Sequence, residues 1–199
     1  PMKKNIWKQI VQAKIQNQAA ILAATDKTAN LVLKLAEKVR SGDPENMEAQ
    51  AARRYFPALF GKDFLRDRGA AGTNAMLNYG YMILRSAMAR AVVAAGFHPG
   101  ISLHHKNASN AMRLVDDLME PYRPYVDLQV YRLLAEGYDT VSVETKPELA
   151  SLLEQAIVMT DTTYTMRRAM DVTVQSLVRI YAGTDKKIVM PLPDLQIWK

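Results

Sequence analysis

The sequence of 199 residues contains no cysteine and only three histidines. The missing cysteine removes disulfides, thiolate zinc sites and cysteine nucleophiles at once, and it fits a reducing compartment such as the cytoplasm. Apolar runs are short: AVVAAGF at 91–97 is far below the ~20 residues that a membrane-spanning helix needs, so no membrane partner is expected. Nothing in the first residues reads as a signal peptide. The opening Pro1-Met2 is unlike a natural start and reads as a cloning remnant, so the chain is expected to be a piece of something longer. Several catalytic signatures are missing too. There is no P-loop, GxGxxG, HExxH or Gly-x-Ser-x-Gly, and no histidine has a glutamate three residues before it, as a di-iron bundle requires.

What is present describes an ordinary globular chain. Hydrophobic residues make up 49% and charged residues 23%, and the length suits one domain. The net charge of +6 is a modest argument for an anionic partner. Apolar spacing is helical almost throughout. Helices are expected at 5–24, 28–40 and 43–61, the last with Asp43 as N-cap, Pro44 at its first position and its end kinked or shortened by Pro57. A basic loop at 62–72 precedes a long helix at 73–95. Further helices are expected from Asn110 or Ser109 to Met119, from Pro124 to Gly137, at 147–157 and at 160–182. DTVSVET is the only β-branched alternation, a short strand or an extended connection. The class is all-α, a single domain of about eight helices.

Two of the three histidines, His104 and His105, stand just upstream of Asp116, Asp117 and Glu120. Imidazole with carboxylates suits a hard divalent ion such as Mg²⁺ or Mn²⁺. On one straight helix His105 and Glu120 would be ~22 Å apart at 1.5 Å per residue, too far to share an ion. The chain must therefore turn between Lys106 and Ser109. Glu48, flanked by alanines that allow close helix packing, is a candidate third ligand. The plainer alternatives stay open: Glu48 as an acid complementing a helix dipole, Asp116 and Asp117 on a solvated face, and two ordinary loop histidines. Asn74, Asn78, Tyr81 and Arg85 form a polar stripe on helix 73–95, either its solvent face or, with Arg53, Arg54, Arg66, Arg68, Lys106 and Arg123, a surface for phosphates and bases. Met76, Met82 and Met88 read as core filler.

Three stretches carry a resemblance. MEAQAARRYFPALFG, NAMLNYGYMILRSAMARAVVAAGFHPGI and HKNASNAMRLVDDLMEPYRPYVD resemble, in order, three segments of the CRISPR-associated spacer-acquisition integrase ("Cas-one") family. These are its E-x-x-A-A-[KR]-x-Y-F segment, its Asn-x-x-Leu-Asn-Tyr-Gly-Tyr helix and its closing His…Asp-Leu-Met-Glu-Pro-Phe-Arg-Pro segment, with Tyr122 in place of phenylalanine. The opening IWKQIVQAKIQNQA is similar to the start of the family's helical domain, and members from type II systems are the most similar.

The resemblance implies a metal-dependent integrase and endonuclease that inserts foreign DNA fragments as new spacers into a CRISPR array. It puts the catalytic and metal-binding roles on Glu48, His105 and Glu120, with Mg²⁺ or Mn²⁺ as cofactor, and leaves Asp116 and Asp117 as neighbours open to confusion with Glu120. Arg53, Arg54, Arg66, Asn78, Tyr81, Lys106 and Arg123 would contact DNA. The implied partners are the foreign fragment and the CRISPR repeat, a second copy of the full-length protein, the small "Cas-two" protein and, in type II systems, the RNA-guided effector nuclease. Full-length relatives begin with a β-rich domain that nothing in these residues resembles. The chain is thus expected to be the helical catalytic domain alone, weak or inactive by itself. The rival reading is a non-catalytic helical DNA-binding module, whose DNA affinity would ignore chelators; a purely structural adaptor is a third.

Overall fold

Helix α1 (Met2–Ala24) is buried on more than one side: Ile6, Trp7, Ile10, Val11, Ile15, Ile21 and Leu22 are all in the core. So broad an apolar surface marks a helix with neighbours on several flanks rather than a surface helix. The computed structural model describes residues 2–105, 107, 109–160 and 162–193. In it α1 packs against α2 (Asn30–Lys38), α3 (Met47–Phe60), α6 (Arg123–Ala135) and the turn before α6. Helices α4 (Thr73–Ala94), α5 (Arg113–Met119), α7 (Thr145–Ser151) and α8 (Met166–Tyr181) complete the set. The all-α class and the eight helices agree with the expectation, among the described residues.

Local chemistry explains most boundaries. Asp43 does cap α3, but from further out than expected. It adopts a left-handed conformation (φ 48°), and its carboxylate accepts the amides of Met47 and Glu48 at 2.8 and 3.1 Å. Pro44 therefore lies in a turn before the helix, and Asn46 is the N-cap proper, accepting the amide of Ala49. Pro57 sits inside α3 near its end, where the helix stops within a turn. Pro121 and Pro124 cannot donate to carbonyls four residues back, and the chain between α5 and α6 tightens into a 3₁₀ turn, Glu120–Tyr122. At Gly80 α4 and α6 approach closely enough that a methyl group there would run into Val126 Cγ1.

Two expectations need correction. The helices read at 147–157 and 160–182 are interrupted by an antiparallel hairpin, β1 (Ala156–Met159) with β2 (Thr162–Thr165). The β-branched Ile157, Val158, Thr162, Thr163 and Thr165 favour extended backbone, and Thr165 then caps α8. DTVSVET, by contrast, forms no strand: residues 139–142 are a connection, Val143 and Glu144 turn, and Thr145 opens α7, its Oγ1 accepting the amide of Ser142 and donating to the carbonyl of Thr140. No described helix is long and apolar enough to cross a membrane.

Candidate active site

Glu48 in the first turn of α3 and Glu120 after α5 both reach toward α1. Between them lies Lys14, whose Nζ donates to Glu48 Oε1 at 2.6 Å and to Glu120 Oε2 at 2.5 Å. The other oxygen of Glu120 accepts from Arg123 Nε at 2.9 Å. Glu120 is almost wholly buried, and burial by itself would push its carboxyl up. Arg123 and Lys14 overcome that and hold it well below the usual carboxylate range. Burial likewise works against the Lys14 ammonium, and the two glutamates reverse the effect, so the lysine stays charged.

His105 reaches the same cleft from the segment before α5. The buried carboxylate of Asp117 gathers that segment: it accepts the amides of Leu103 at 2.7 Å and His104 at 3.1 Å, and meets His105 Nδ1 at 2.5 Å. This hydrogen bond raises the His105 pKa above its ordinary value against the opposing effect of burial. With Nδ1 tied to Asp117, Nε2 is the ring nitrogen left for other work. His104 turns away and stacks flat on Trp7, centroids 4.4 Å apart. The expected turn between His105 and α5 is present, with Asn107 and Asn110 in it; Lys106 lies outside the described residues.

The cleft has two connected parts. The outer one, of about 520 Å³, is lined by Arg66, Asn78, Tyr81, Arg85, His105 and Arg123 among others. The inner one, of about 190 Å³, holds Lys14, Gln18, Glu48 and Asp127 and shares Arg66, Arg68, Tyr81, His105, Glu120 and Arg123 with the outer. The polar stripe of α4 is thus no solvent face. Asn74 and Tyr81 are buried; Asn74 and Asn78 accept from Arg66 at 2.8 and 2.6 Å. Arg85 pairs with Asp116 and Asn110, an arrangement that lowers the Asp116 carboxyl despite its partial burial. Met82 is exposed, while Met76 and Met88 are in the core as expected.

Other predicted residues are placed differently from the reading above. Asp117 is fully buried, not on a solvated face, and its carboxylate gathers four donors: the amides of Leu103, His104 and His105 and the His105 ring nitrogen. Arg53 and Arg54 are exposed on a separate groove beside Glu45, Asn46 and Gln50 and do not line the cleft. Arg123 is engaged inward, against Glu120 and 4.6 Å over the Tyr81 ring. Sequence reasoning missed Lys14 and Asp127, and it named Asp117 without finding its role as the partner of His105. A signal existed for the first: Lys14 interrupts the buried stripe Ile10, Asn17, Ile21 of α1, where an unpaired lysine is costly.

Glu48, Glu120 and the free nitrogen of His105 match the oxygen-rich, one-imidazole donor set of a hard divalent ion. Among the described residues, however, no three such donors are placed to enclose an ion, and the lysine ammonium stands between the two carboxylates.

Fold and cleft together define a helical domain with a cation-holding carboxylate pair beneath a basic opening. The family model described as CRISPR associated protein Cas1 matches residues 2–160, and the chain belongs to that family. It is 43% identical over 162 residues to the CRISPR-associated endonuclease Cas1 of Neisseria meningitidis serogroup C, covering 80% of this chain and 51% of that one. The fold resembles a casposase bound to integration product (TM-score 0.77, 22% identity, 94% of this chain and 62% of that one). It also resembles a Cas6-RT-Cas1–Cas2 complex (TM-score 0.76, 21% identity, 98% of this chain and 26% of that one). The chain spans about half the length of the curated relatives it matches.

Proposed function

We propose that the chain carries the active site of a DNA integrase and endonuclease that inserts foreign fragments as new spacers into a CRISPR array. The observation that carries the reading is the convergence of Glu48 and Glu120 on one cationic point, with His105 at the same cleft and arginines at its mouth. The names of the relatives, CRISPR-associated endonucleases, support it. Glu48, Glu120 and His105 would hold Mg²⁺ or Mn²⁺. Such an ion neutralises charge on the reacting phosphate and favours the attacking or leaving oxygen.

The chain's own residues do the rest. Asp117 fixes the tautomer and orientation of His105, so that its Nε2 faces the cleft. Asn74 and Asn78 hold Arg66 extended at the mouth, where its guanidinium and that of exposed Arg68 meet the strand's phosphates and orient it without reading bases. Arg123 keeps Glu120 ionised. The partners belong to the same reading: fragment and repeat DNA, a second copy, the small Cas2-type protein named with Cas1 in the solved complex, and the type II effector nuclease.

The test is strand transfer of labelled fragment DNA into a repeat-bearing target by the full-length protein with its small partner, with Mg²⁺, Mn²⁺ or EDTA. Glu48→Gln, His105→Ala and Glu120→Gln should each lose a factor of about 10² or more, with the protein still folded. Activity untouched by EDTA and by all three changes would refute the reading. The ion pair of Lys14 with both glutamates favours a second reading, a DNA-binding module that holds no ion. It predicts DNA affinity indifferent to chelators and to Glu48→Gln.

A further inference from the structure

We infer that Lys14 is a built-in stand-in for the divalent ion: its ammonium holds Glu48 and Glu120 on one point when no ion is present and withdraws when one arrives. The inference rests on the metal-binding reading above. Lys14 Nζ sits within 2.6 Å of both carboxylates, and its side chain is only 12% exposed. Without a cation there, two carboxylates would face one poorly solvated point, with Arg123 on only one of them. They would repel and splay apart, and the donor set would be lost before any ion reached it.

A divalent ion cannot share that point with the ammonium. It would bind the same oxygens at ~2.1 Å, inside the space the nitrogen fills. The lysine therefore needs somewhere to go, and the structure supplies it. Gln18 Oε1 is a buried acceptor without a hydrogen-bond donor among the described residues; it lines the inner cleft with Lys14 and with Asp127, whose carboxylate the hydroxyls of Tyr81 and Tyr55 already meet. Gln18 is also one helical turn along α1 from Lys14, within reach of a flexible four-carbon stem. Buried acceptors are rarely left unfilled. Here the vacancy is the second seat of the ammonium.

The decisive comparison is between the unaltered chain and Lys14→Met, followed by thermal melting and by calorimetric titration with Mn²⁺. In EDTA, Lys14→Met should melt ~6–12 °C lower, as expected when one partner of a largely buried ion pair is removed. Mn²⁺ should restore most of that loss, and should bind Lys14→Met about tenfold or more tightly than the unaltered chain, because no internal cation competes. Gln18→Leu, which removes the second seat, should reduce Mn²⁺ affinity in the unaltered background and not in Lys14→Met. Equal, measurable Mn²⁺ affinity with and without Lys14 would overturn this inference while leaving the metal site standing. A Lys14→Met chain that stays unfolded at every Mn²⁺ concentration would overturn it as well, since no ion could then replace the ammonium. Absence of Mn²⁺ binding by either chain would remove the metal reading and this inference together.

Discussion

Nδ1 of His105 lies 2.5 Å from the carboxylate of Asp117, a side chain with no solvent exposure that also accepts the amides of Leu103 and His104. One buried acid thus fixes both the path of the backbone and the orientation of the imidazole. Replacing it with asparagine keeps the shape but turns an NH₂ group toward N–H donors. Asp117→Asn should cost about 3 kcal/mol in urea unfolding and shift the His105 ring-nitrogen resonances, whereas His104→Ala should leave those resonances near their original positions. Full stability in Asp117→Asn would show that the segment is held by other means.

Asp127 gives a pH signature. Burial raises its carboxyl to about 6, despite the hydroxyls of Tyr81 and Tyr55 donating to it. The native state then keeps a proton that the unfolded chain releases near pH 4. Stability contributed by this group is present below pH 4 and is lost as pH rises to 6, by up to ~3 kcal/mol for a shift of about two units. Glu120 and Asp116, whose carboxyls are lowered, act in the opposite sense and at lower pH. The readout is therefore the difference between the unaltered chain and Asp127→Asn, measured by denaturant unfolding from pH 4 to 7. A constant difference across that range would contradict the assignment.

The close approach of α4 and α6 should be sensitive to a single methyl. Gly80→Ala gains helix propensity of about 1 kcal/mol but drives its Cβ into Val126, a clash worth about 1–3 kcal/mol. We expect net destabilisation, and recovery of most of it in Gly80→Ala/Val126→Ala. Additive losses in the double variant would mean that the two residues do not meet.

Arg66 and Arg123 should behave differently although both line the cleft. Arg66→Ala should weaken DNA binding and lower the slope of log affinity against log salt by about 0.9, the loss of one phosphate contact. Arg123 is only 20% exposed and engaged with Glu120 and Tyr81, so Arg123→Ala should instead cost about 3 kcal/mol in stability. Equal salt slopes for Arg66→Ala and the unaltered chain would place the strand elsewhere.

Helix period, caps and breakers are local properties, and they made the class and most helices legible: α1, α4 and the α5–α6 break at Pro121 follow from apolar spacing and missing amides. Glu48, His105 and Glu120 were legible as a group only through the resemblance of three motifs. Spacing alone left each of them with a plainer role. The hairpin at 156–165 escaped because short β-branched runs are compatible with helix until a partner strand exists. Tertiary structure alone decided what fills the space between the carboxylates. Residues 14, 48 and the group 117, 120 and 127 lie on three segments far apart in sequence, and their charges acquire meaning only when packing excludes water and forces each to find a partner. The sequence by itself determined a helical fold with acids and bases in order. Burial determined which acid holds the histidine, which arginine faces inward, and that a lysine stands between the two glutamates.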